Sequence, residues 1–307
     1  MQSQSVVLIA GPTASGKSAL AVRLAATVGG EIINADSMQV YRDLRILTAR
    51  PTPDEEAAAP HHLFGIADAA EAWSVGHWLR QVVPILDRLR RDQKPAIIVG
   101  GTGLYFLALT RGLAHIPSVP TEVRESAIAE LSDVGEAAFR QRLASVDPLA
   151  ERRISPGDGQ RLARALSVYA ATGRPLSHWQ SQTEATLSPG SWRGIVLDPP
   201  RATLYERCDA RLQAMIERGA LQEVERLLAR KLDRGLPVMK ALGVTAFAAQ
   251  LKGEMTAAQA LEHARAETRR YAKRQTTWQR NQNPLWPRIG DDDQAAQWDA
   301  LLRLQFV

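Results

Sequence analysis

The chain has 307 residues, and its 45% hydrophobic and 23% charged residues are typical of a globular protein that can fill a core. The single cysteine, Cys208, excludes an intramolecular disulfide, and no apolar run approaches the roughly 20 residues that a membrane-spanning helix needs. The formal net charge of +5 favours a polyanionic partner, and the absence of a basic and apolar leader predicts a cytoplasmic protein without membrane attachment.

Short apolar runs alternate with helical patterns along much of the chain. Val6–Ala10 predicts a buried strand, and the following pattern predicts a helix over Lys17–Val28 that Gly29 and Gly30 close. This alternation predicts an α/β fold with a parallel sheet that helices cover on both faces. The other predicted strands are Ile32–Ile33, Ala96–Val99 and Ile195–Leu197.

A stretch without strand patterns interrupts this alternation. Helices are predicted over Glu122–Leu131, Glu136–Leu143 and Gly159–Ala171, and prolines and a glycine flank the stretch. We therefore predict an inserted helical domain at 117–179, within a core formed by residues 1–116 and 180–307. After Pro200 the pattern predicts only helices.

The segment Gly11–Ser18 fits the P-loop pattern G-x-x-x-x-G-K-[ST] at every fixed position, and it lies between a predicted strand and a predicted helix. Its backbone N–H groups and the helix N-terminus suit phosphate oxygens, Lys17 supplies a full positive charge, and the Ser18 hydroxyl can ligate Mg²⁺. A P-loop alone identifies neither the phosphates nor the reaction.

Three further strand ends carry residues that suit a site, because ligands of open α/β sheets bind at the carboxyl ends of the strands. Asp36 could accept a proton from a nucleophile, or it could cap a turn. Gly100–Gly103 is either a second anion-binding loop, in which Thr102 donates to a phosphate, or a simple turn. Asp198 is interpreted as a strand-end turn residue in preference to a metal ligand.

A long helix is predicted from a capping box at Thr256 towards Arg280. At about 100° per residue one of its faces is basic, so it could meet the phosphates of a nucleic acid, or it could be a solvated face with internal salt bridges. The opposite arc can dock on the core and carries Leu261, Ala264, Thr268, Tyr271, Gln275 and Trp278. The basic residues are Arg265, Arg269, Arg270, Lys273, Arg274 and Arg280.

Taken together, these segments resemble the tRNA dimethylallyltransferase family, also called tRNA isopentenyltransferases. The match runs over nearly the whole chain. The matching segments are Gly11–Ser18, Asp36–Tyr41, His61–Leu63, Val99–Tyr105, Asp158–Ala165, Lys240–Gly243 and Thr268–Thr276.

The resemblance implies a nucleotide-kinase-like P-loop core with an inserted helical domain and a helical C-terminal region. It implies transfer of a dimethylallyl group from dimethylallyl diphosphate to N6 of an adenosine beside the anticodon of tRNA, with Mg²⁺ as cofactor. Asp36, Thr102 and Arg211 would be catalytic. The diphosphate would be held by Gly11, Pro12, Thr13, Ala14, Ser15, Gly16, Lys17 and Ser18.

The resemblance and the basic surfaces together predict contacts with the tRNA anticodon stem-loop, and a monomer is expected. The contacts fall on the second strand end, the inserted domain and the C-terminal helices. They are Asp36, Ser37, Met38, Gln39, Thr102, Arg124, Gln160, Arg161, Leu162, Ala163, Arg164, Lys240, Ala241, Leu242, Gly243, Val244, Thr245, Arg269, Arg270, Lys273 and Arg274.

The chain departs from the family pattern at Leu44–Arg50, Val244 and Gln279, which affects local packing or tRNA contacts and leaves the diphosphate positions intact. Two other functions stay open on the residues alone. One is a small-molecule kinase that uses ATP at the same P-loop, and the other is a nucleic-acid-binding module whose P-loop is regulatory or inert.

Overall fold

A computed structural model of the chain describes residues 6–306, and the chain divides into two compact units. The larger unit comprises residues 1–110 and 187–307, and the smaller comprises residues 111–186, so the compact helical segment extends beyond the predicted 117–179 at both ends. None of the helices in residues 6–306 combines the length and the apolar character needed to cross a lipid bilayer.

The larger unit is built on a parallel sheet whose strand order is β3-β2-β4-β1-β5-β6 over the described residues. The strands β1, β2, β4 and β5 confirm the four predicted strands, within one to three residues at their ends. The strands are β1 Val6–Ala10, β2 Glu31–Asn34, β3 His61–His62, β4 Ala96–Gly100, β5 Trp192–Leu197 and β6 Arg288–Ile289.

Two edge strands were not predicted. β3 pairs with Ile32–Ile33 of β2, and β6 pairs with Val196–Leu197 of β5. The prediction that the chain is entirely helical after Pro200 is therefore wrong at β6. Each of these strands has two residues, which is too short to produce a periodic pattern, and only their tertiary pairing defines them.

Helices cover this sheet and form the C-terminal region of the larger unit. α1 has the predicted bounds, and α12 begins at the predicted capping box on Thr256. A 3-10 helix, Pro237–Lys240, precedes α11. The helices of this unit are α1 Lys17–Val28, α2 Pro53–Ala58, α3 Val75–Arg91, α4 Gly103–Arg111, α9 Arg201–Glu217, α10 Ala220–Ala229, α11 Val244–Leu251, α12 Ala257–Gln282 and α13 Gln294–Arg303.

The core lies on both faces of the sheet, as the continuous apolar strands predict. Leu8 and Ile98 face a cluster that includes Trp78 of α3. Ile9 and Ile97 face the opposite cluster, which α1 and α13 complete. Because apolar side chains occupy both faces, the carboxyl edge of the sheet is where the chain can present a site.

The smaller unit is entirely helical in the described residues, with a core that includes Phe139, Leu143 and Leu162. Its longest helix is interrupted at Gly135, which has a φ of +76°, so the two predicted helices at 122–131 and 136–143 are confirmed as two segments. The unit's helices are α5 Thr121–Val146, α6 Pro148–Arg153, α7 Gly159–Thr172 and α8 Leu176–Ser181.

Candidate active site

The P-loop connects β1 to α1 and leaves the first N–H groups of α1 without a side-chain cap. Gly16 occupies the N-cap position with a φ of +95°, which a residue with a side chain rarely adopts. The uncapped N–H groups and the helix dipole make this helix start suited to an anion. The geometry agrees with the predicted phosphate role of Gly11–Ser18, which stays a prediction.

Lys17 lies under this loop, where its Nζ donates to the carbonyl oxygen of Pro12 at 3.1 Å. Burial lowers the pKa of Lys17 to about 8, although the nearby Asp36 carboxylate raises it, and the Arg211 guanidinium lowers it further. The structure thus brings together three charged groups that are remote in sequence. A cation that has already lost much of its hydration interacts strongly with an incoming anion.

Side chains from the C-terminal helices hold the P-loop in place. Gln275 of α12 accepts a hydrogen bond from the Thr13 N–H at 2.8 Å and donates to the Gly101 carbonyl at 3.1 Å. Gln297 of α13 donates to the Ser15 carbonyl at 3.0 Å. The guanidinium of Arg211 in α9 donates to the Thr13 hydroxyl, so Arg211 reaches the loop, and its catalytic role stays a prediction.

Asp36 follows β2 at the carboxyl edge of the sheet and lines a cavity. Its N–H donates to Asn34 Oδ1 at 2.7 Å, and its Oδ1 accepts the N–H of Met38 at 2.9 Å. The turn-capping interpretation is therefore confirmed for Oδ1. Among the described residues no hydrogen bond engages Oδ2, so the same carboxylate can also accept a proton or a hydrogen bond from a ligand.

Close packing explains the glycines around Thr102. A Cβ atom on Gly101 would lie 2.0 Å from Gln275 Nε2, and one on Gly103 would lie 2.1 Å from the Trp278 ring. Neither glycine has a positive φ, so the loop does not need the backbone geometry of an anion-binding nest. The Thr102 hydroxyl accepts the Ser37 N–H at 2.9 Å and lies 3.3 Å from Ser37 Oγ, which joins this loop to the Asp36 turn.

A cavity of about 220 Å³ opens at this edge of the larger unit. Tyr271 of α12 lines it, and burial, followed by the Asp36 charge, raises the pKa of its hydroxyl. Burial has the opposite effect on the cationic Arg211 guanidinium, whose pKa it lowers. Polar groups and apolar groups share the lining, which suits a ligand with a charged and a hydrocarbon part. The apolar lining residues include Met38, Leu47, Leu212, Met215, Ala241 and Leu242.

The loop that carries Leu47 is held by a buried carboxylate that the sequence interpretation missed. Glu223 of α10 accepts hydrogen bonds at 2.8 to 3.0 Å from the N–H groups of Arg45, Ile46 and Leu47. A signal was present in the sequence, because Glu223 lies among Ala220, Val224 and Leu227 on the apolar face of its helix. Part of the segment Leu44–Arg50, in which the sequence departs from the family pattern, thus forms an ordered wall of the cavity.

Some of the predicted tRNA contacts of the larger unit are exposed, and others are buried or already bonded to other groups of the protein. Lys240, Thr245, Arg270, Lys273 and Arg274 are exposed, whereas Ala241, Gly243 and Val244 are buried. Arg269 pairs with Asp209 at 3.2 Å and with Glu262 at 2.6 Å. The Gln39 amide donates to the carbonyls of Thr48 and Ala49.

In the smaller unit, Gln160, Arg161 and Arg164 are exposed on α7, whereas Leu162 and Ala163 are buried in its core. Arg124 is exposed on α5. Their tRNA contacts stay predictions. Because Leu162 and Ala163 are buried, only the polar side chains around them are available to contact tRNA.

Asp198 lies at the end of β5, as predicted, and its charge is compensated by protein. Its Oδ2 pairs with Arg280 at 3.2 Å and with Arg288 at 3.4 Å. The structure therefore supports the strand-end interpretation of Asp198 over the metal-ligand one. Arg280, one member of the predicted basic face, is correspondingly engaged in an ion pair while it stays exposed.

Comparison with known proteins places this arrangement in a family. A model described as "IPP transferase" matches residues 39–282, and one described as "Isopentenyl transferase" matches residues 4–60. A tRNA dimethylallyltransferase of Phenylobacterium zucineum is 57% identical over 295 residues, which cover 96% of this chain and 95% of the relative. Another, from a Caulobacter species, is 58% identical over 289 residues and 94% of each chain.

Solved structures agree with these matches. The tRNA isopentenylpyrophosphate transferase of Bacillus halodurans is 31% identical with a TM-score of 0.68 and covers 99% of this chain and 100% of its own. A eukaryotic dimethylallyltransferase, described as acting on tRNA, is 28% identical with a TM-score of 0.81 and covers 98% of this chain and 77% of its own. The α/β P-loop core, the cavity at its carboxyl edge and these relatives together establish that the chain belongs to the tRNA dimethylallyltransferase family.

Proposed function

We propose that this protein transfers a dimethylallyl group from dimethylallyl diphosphate to N6 of the adenosine beside the anticodon of tRNA. The observation that carries the proposal is that Asp36 and Arg211 line one cavity at the carboxyl edge of the sheet, close enough to Lys17 beside it for both charges to shift the pKa of Lys17. Two cations and one carboxylate at one site suit a reaction in which an anion leaves and a nucleophile loses a proton.

The diphosphate of the donor would bind at the P-loop, against the N-terminus of α1. Lys17 and Arg211 would compensate its charge, and burial of both cations strengthens that interaction because less solvent screens it. The hydrocarbon part would lie against the apolar lining of the cavity, which includes Leu212 and Met215. Burial of such a short branched chain contributes on the order of 2 kcal/mol.

The transfer forms a carbon–nitrogen bond, breaks a carbon–oxygen bond and moves one proton. The N6 electron pair attacks the allylic carbon, and the carbon–oxygen bond to the diphosphate breaks, so the diphosphate leaves with that bond's electron pair. The proton released from N6 passes to the Asp36 carboxylate. Arg211, Lys17 and Thr102 stabilise the charge that develops on the leaving diphosphate, which is the main contribution of the protein to an allylic substitution.

Mg²⁺ is proposed as the accompanying cation. The described residues contain no cluster of three or more carboxylate, histidine or cysteine side chains that could hold a metal by themselves. Ser18 is exposed at the start of α1 and would hold the ion jointly with diphosphate oxygens, a mode that Mg²⁺ commonly uses. When bound, the ion would neutralise charge on the leaving group.

The tRNA would meet the exposed basic residues Arg270, Lys273 and Arg274 of α12, of which Arg274 also lines the cavity. Phosphate contacts of this kind orient the substrate without reading its sequence. The target adenosine would have to leave its base stack to reach Asp36. A monomeric, cytoplasmic enzyme remains our expectation.

Two parallel incubations test the proposed allyl transfer against the alternative, a P-loop kinase that uses ATP. The protein is mixed with labelled dimethylallyl diphosphate, Mg²⁺ and tRNA that lacks the modification, and in parallel with labelled ATP and small acceptors. Transfer of the allyl label to tRNA, mapped to the adenosine beside the anticodon, is the expected result. Phosphoryl transfer from ATP without allyl transfer would overturn the proposal in favour of a P-loop kinase.

A further inference from the structure

Gln275 is a buried polar side chain of α12 that hydrogen-bonds to backbone groups of two loops. Only 6% of the residue is exposed. Its Oε1 accepts the Thr13 N–H at 2.8 Å, and its Nε2 donates to the Gly101 carbonyl at 3.1 Å. The two partners fix the orientation of the amide, because one needs an acceptor and the other needs a donor.

These partners belong to loops at the ends of different strands. Thr13 lies in the P-loop after β1, and Gly101 lies in the loop after β4 that also carries Thr102. The sheet places the starts of the two loops side by side, and a single side chain then bridges the predicted diphosphate loop to the loop of a predicted catalytic hydroxyl. The approach of α12 depends on Gly101, since a Cβ there would lie 2.0 Å from Gln275 Nε2.

Other residues of the site extend this connection. Arg211 donates to the Thr13 hydroxyl, so both the backbone and the side chain of Thr13 are held by helices of the C-terminal region. One turn before Gln275, the Tyr271 hydroxyl interacts with Thr102 and with Gln275 itself. Removal of the Gln275 amide would leave the Thr13 N–H and the buried Gly101 carbonyl without this partner, and both loops would lose a fixed point.

We propose that Gln275 is a positioning residue for the donor diphosphate: it holds the P-loop and the Thr102 loop in the arrangement in which both face the same anion. This inference rests on the proposed function, since it takes the diphosphate as the ligand of the P-loop. Gln275 acts through the loops and touches no reacting atom. Its loss should therefore weaken diphosphate binding, because a loop that is no longer ordered must be ordered by the ligand.

The chain offers a matched control on the same helix. Gln279 lies one turn further along α12, is 1% exposed, and its Oε1 accepts a hydrogen bond from Asn283 Nδ2 at 2.7 Å. Gln275→Met and Gln279→Met remove the same amide from equally buried positions. Only the first substitution removes contacts to the two strand-end loops.

The test measures binding of inorganic pyrophosphate with Mg²⁺ by calorimetry and binding of unmodified tRNA by fluorescence anisotropy. We expect Gln275→Met to raise the Kd for pyrophosphate about tenfold, because the ligand must then order the loops, and Gln279→Met to change it less than twofold. The tRNA affinity of both variants should match the wild type. With tRNA as acceptor, the KM for the donor should rise more than kcat falls.

Gln275→Asn serves if Gln275→Met does not fold, because it keeps an amide in the buried position and is too short to reach both loops. Equal pyrophosphate losses in the variants at 275 and 279 would overturn the inference. So would a loss of tRNA affinity as large as the loss of pyrophosphate affinity. If wild-type protein binds pyrophosphate but transfers no allyl group, the proposed function fails, whereas the comparison of the variants still decides the role of Gln275.

Discussion

The Oδ1 atom of Asp36 accepts the backbone N–H of Met38 at 2.9 Å. This hydrogen bond fixes the carboxylate at the end of β2 and orients it without using Oδ2. The turn residue and the proposed proton acceptor are thus the same side chain. The arrangement allows the two roles to be separated by substitution, because an amide at this position can still accept the Met38 N–H.

Asp36→Asn should keep the turn and lose the proton acceptor. We expect kcat to fall by about 10²- to 10⁴-fold, the usual contribution of general base catalysis, with less than a threefold change in tRNA affinity. Single-turnover transfer and anisotropy on the same preparation measure the two effects. Equal losses of turnover and affinity would indicate that Asp36 only recognises tRNA.

Affinity for the donor should depend on the protonation of Lys17. Because its pKa in the free protein is about 8, the ammonium is lost as the pH rises above that value, and affinity for the diphosphate falls with it. In Lys17→Arg the charge persists, since a guanidinium stays protonated. The ratio of wild-type to variant affinity should therefore fall between pH 7 and pH 9.5, by at most about tenfold per pH unit above 8. Titration of the diphosphate itself affects both affinities equally, so it cancels in the ratio. A ratio that stays constant with pH would contradict the prediction.

Glu223→Gln should disturb the wall of the cavity from a distance. An amide has one acceptor oxygen and presents N–H groups towards the N–H groups of Arg45, Ile46 and Leu47. We expect about 2 kcal/mol lower stability in urea unfolding and a several-fold higher KM for the donor, because Leu47 lines the cavity. Glu225→Gln on the exposed side of α10 is the control and should be neutral in both measurements.

A second buried carboxylate should control acid stability. Glu31 contacts Arg88 at 2.6 Å, His62 at 2.7 Å and Lys94 at 3.1 Å, and the hydrogen bond from Arg88 is the main cause that lowers its pKa to about 2. Since the folded-state pKa lies below the unfolded value near 4.5, the stabilisation is complete above pH 4.5 and is lost as the pH falls towards 2. Because the basic partners of Glu31 are partly exposed, this stabilisation is reduced to about 2 kcal/mol.

Glu31→Gln should therefore be less stable than the wild type at pH 7, and the difference should shrink on acidification through this window. Urea unfolding at pH 7, 5 and 3 provides the measurement, with Glu254→Gln as an exposed control. A difference that stays constant down to pH 3 would indicate that packing, and not charge, is responsible.

Gly103→Ala should lower stability because a Cβ there would lie 2.1 Å from the Trp278 ring. Relief of such an overlap requires α12 or the Thr102 loop to move, which costs about 1–3 kcal/mol. Gly290→Ala adds the same methyl group where the nearest atom is 3.9 Å away, so thermal unfolding should separate the two variants. Equal melting temperatures would contradict the role of close packing at this loop.

Local patterns determined the elements of the core before any tertiary information. The apolar run of β1, the P-loop and the bounds of α1 follow from residues next to one another, because strand burial and helix capping are local properties. The Thr256 capping box likewise marked the start of α12 correctly. The family resemblance then supplied the roles of Asp36, Thr102 and Arg211, which no periodicity contains.

The tertiary structure decided which distant groups meet. Gln275 and Thr13 lie 262 residues apart, and Glu223 and Leu47 lie 176 residues apart, so no local pattern joins them. β3 and β6 exist only because neighbouring strands pair with them. The P-loop motif and the identity of its charged residues were thus present in the sequence. The side chains that hold the loop, lower the pKa of Lys17 and close the cavity wall depend on the folded chain, because burial and hydrogen bonding between remote segments arise only on folding.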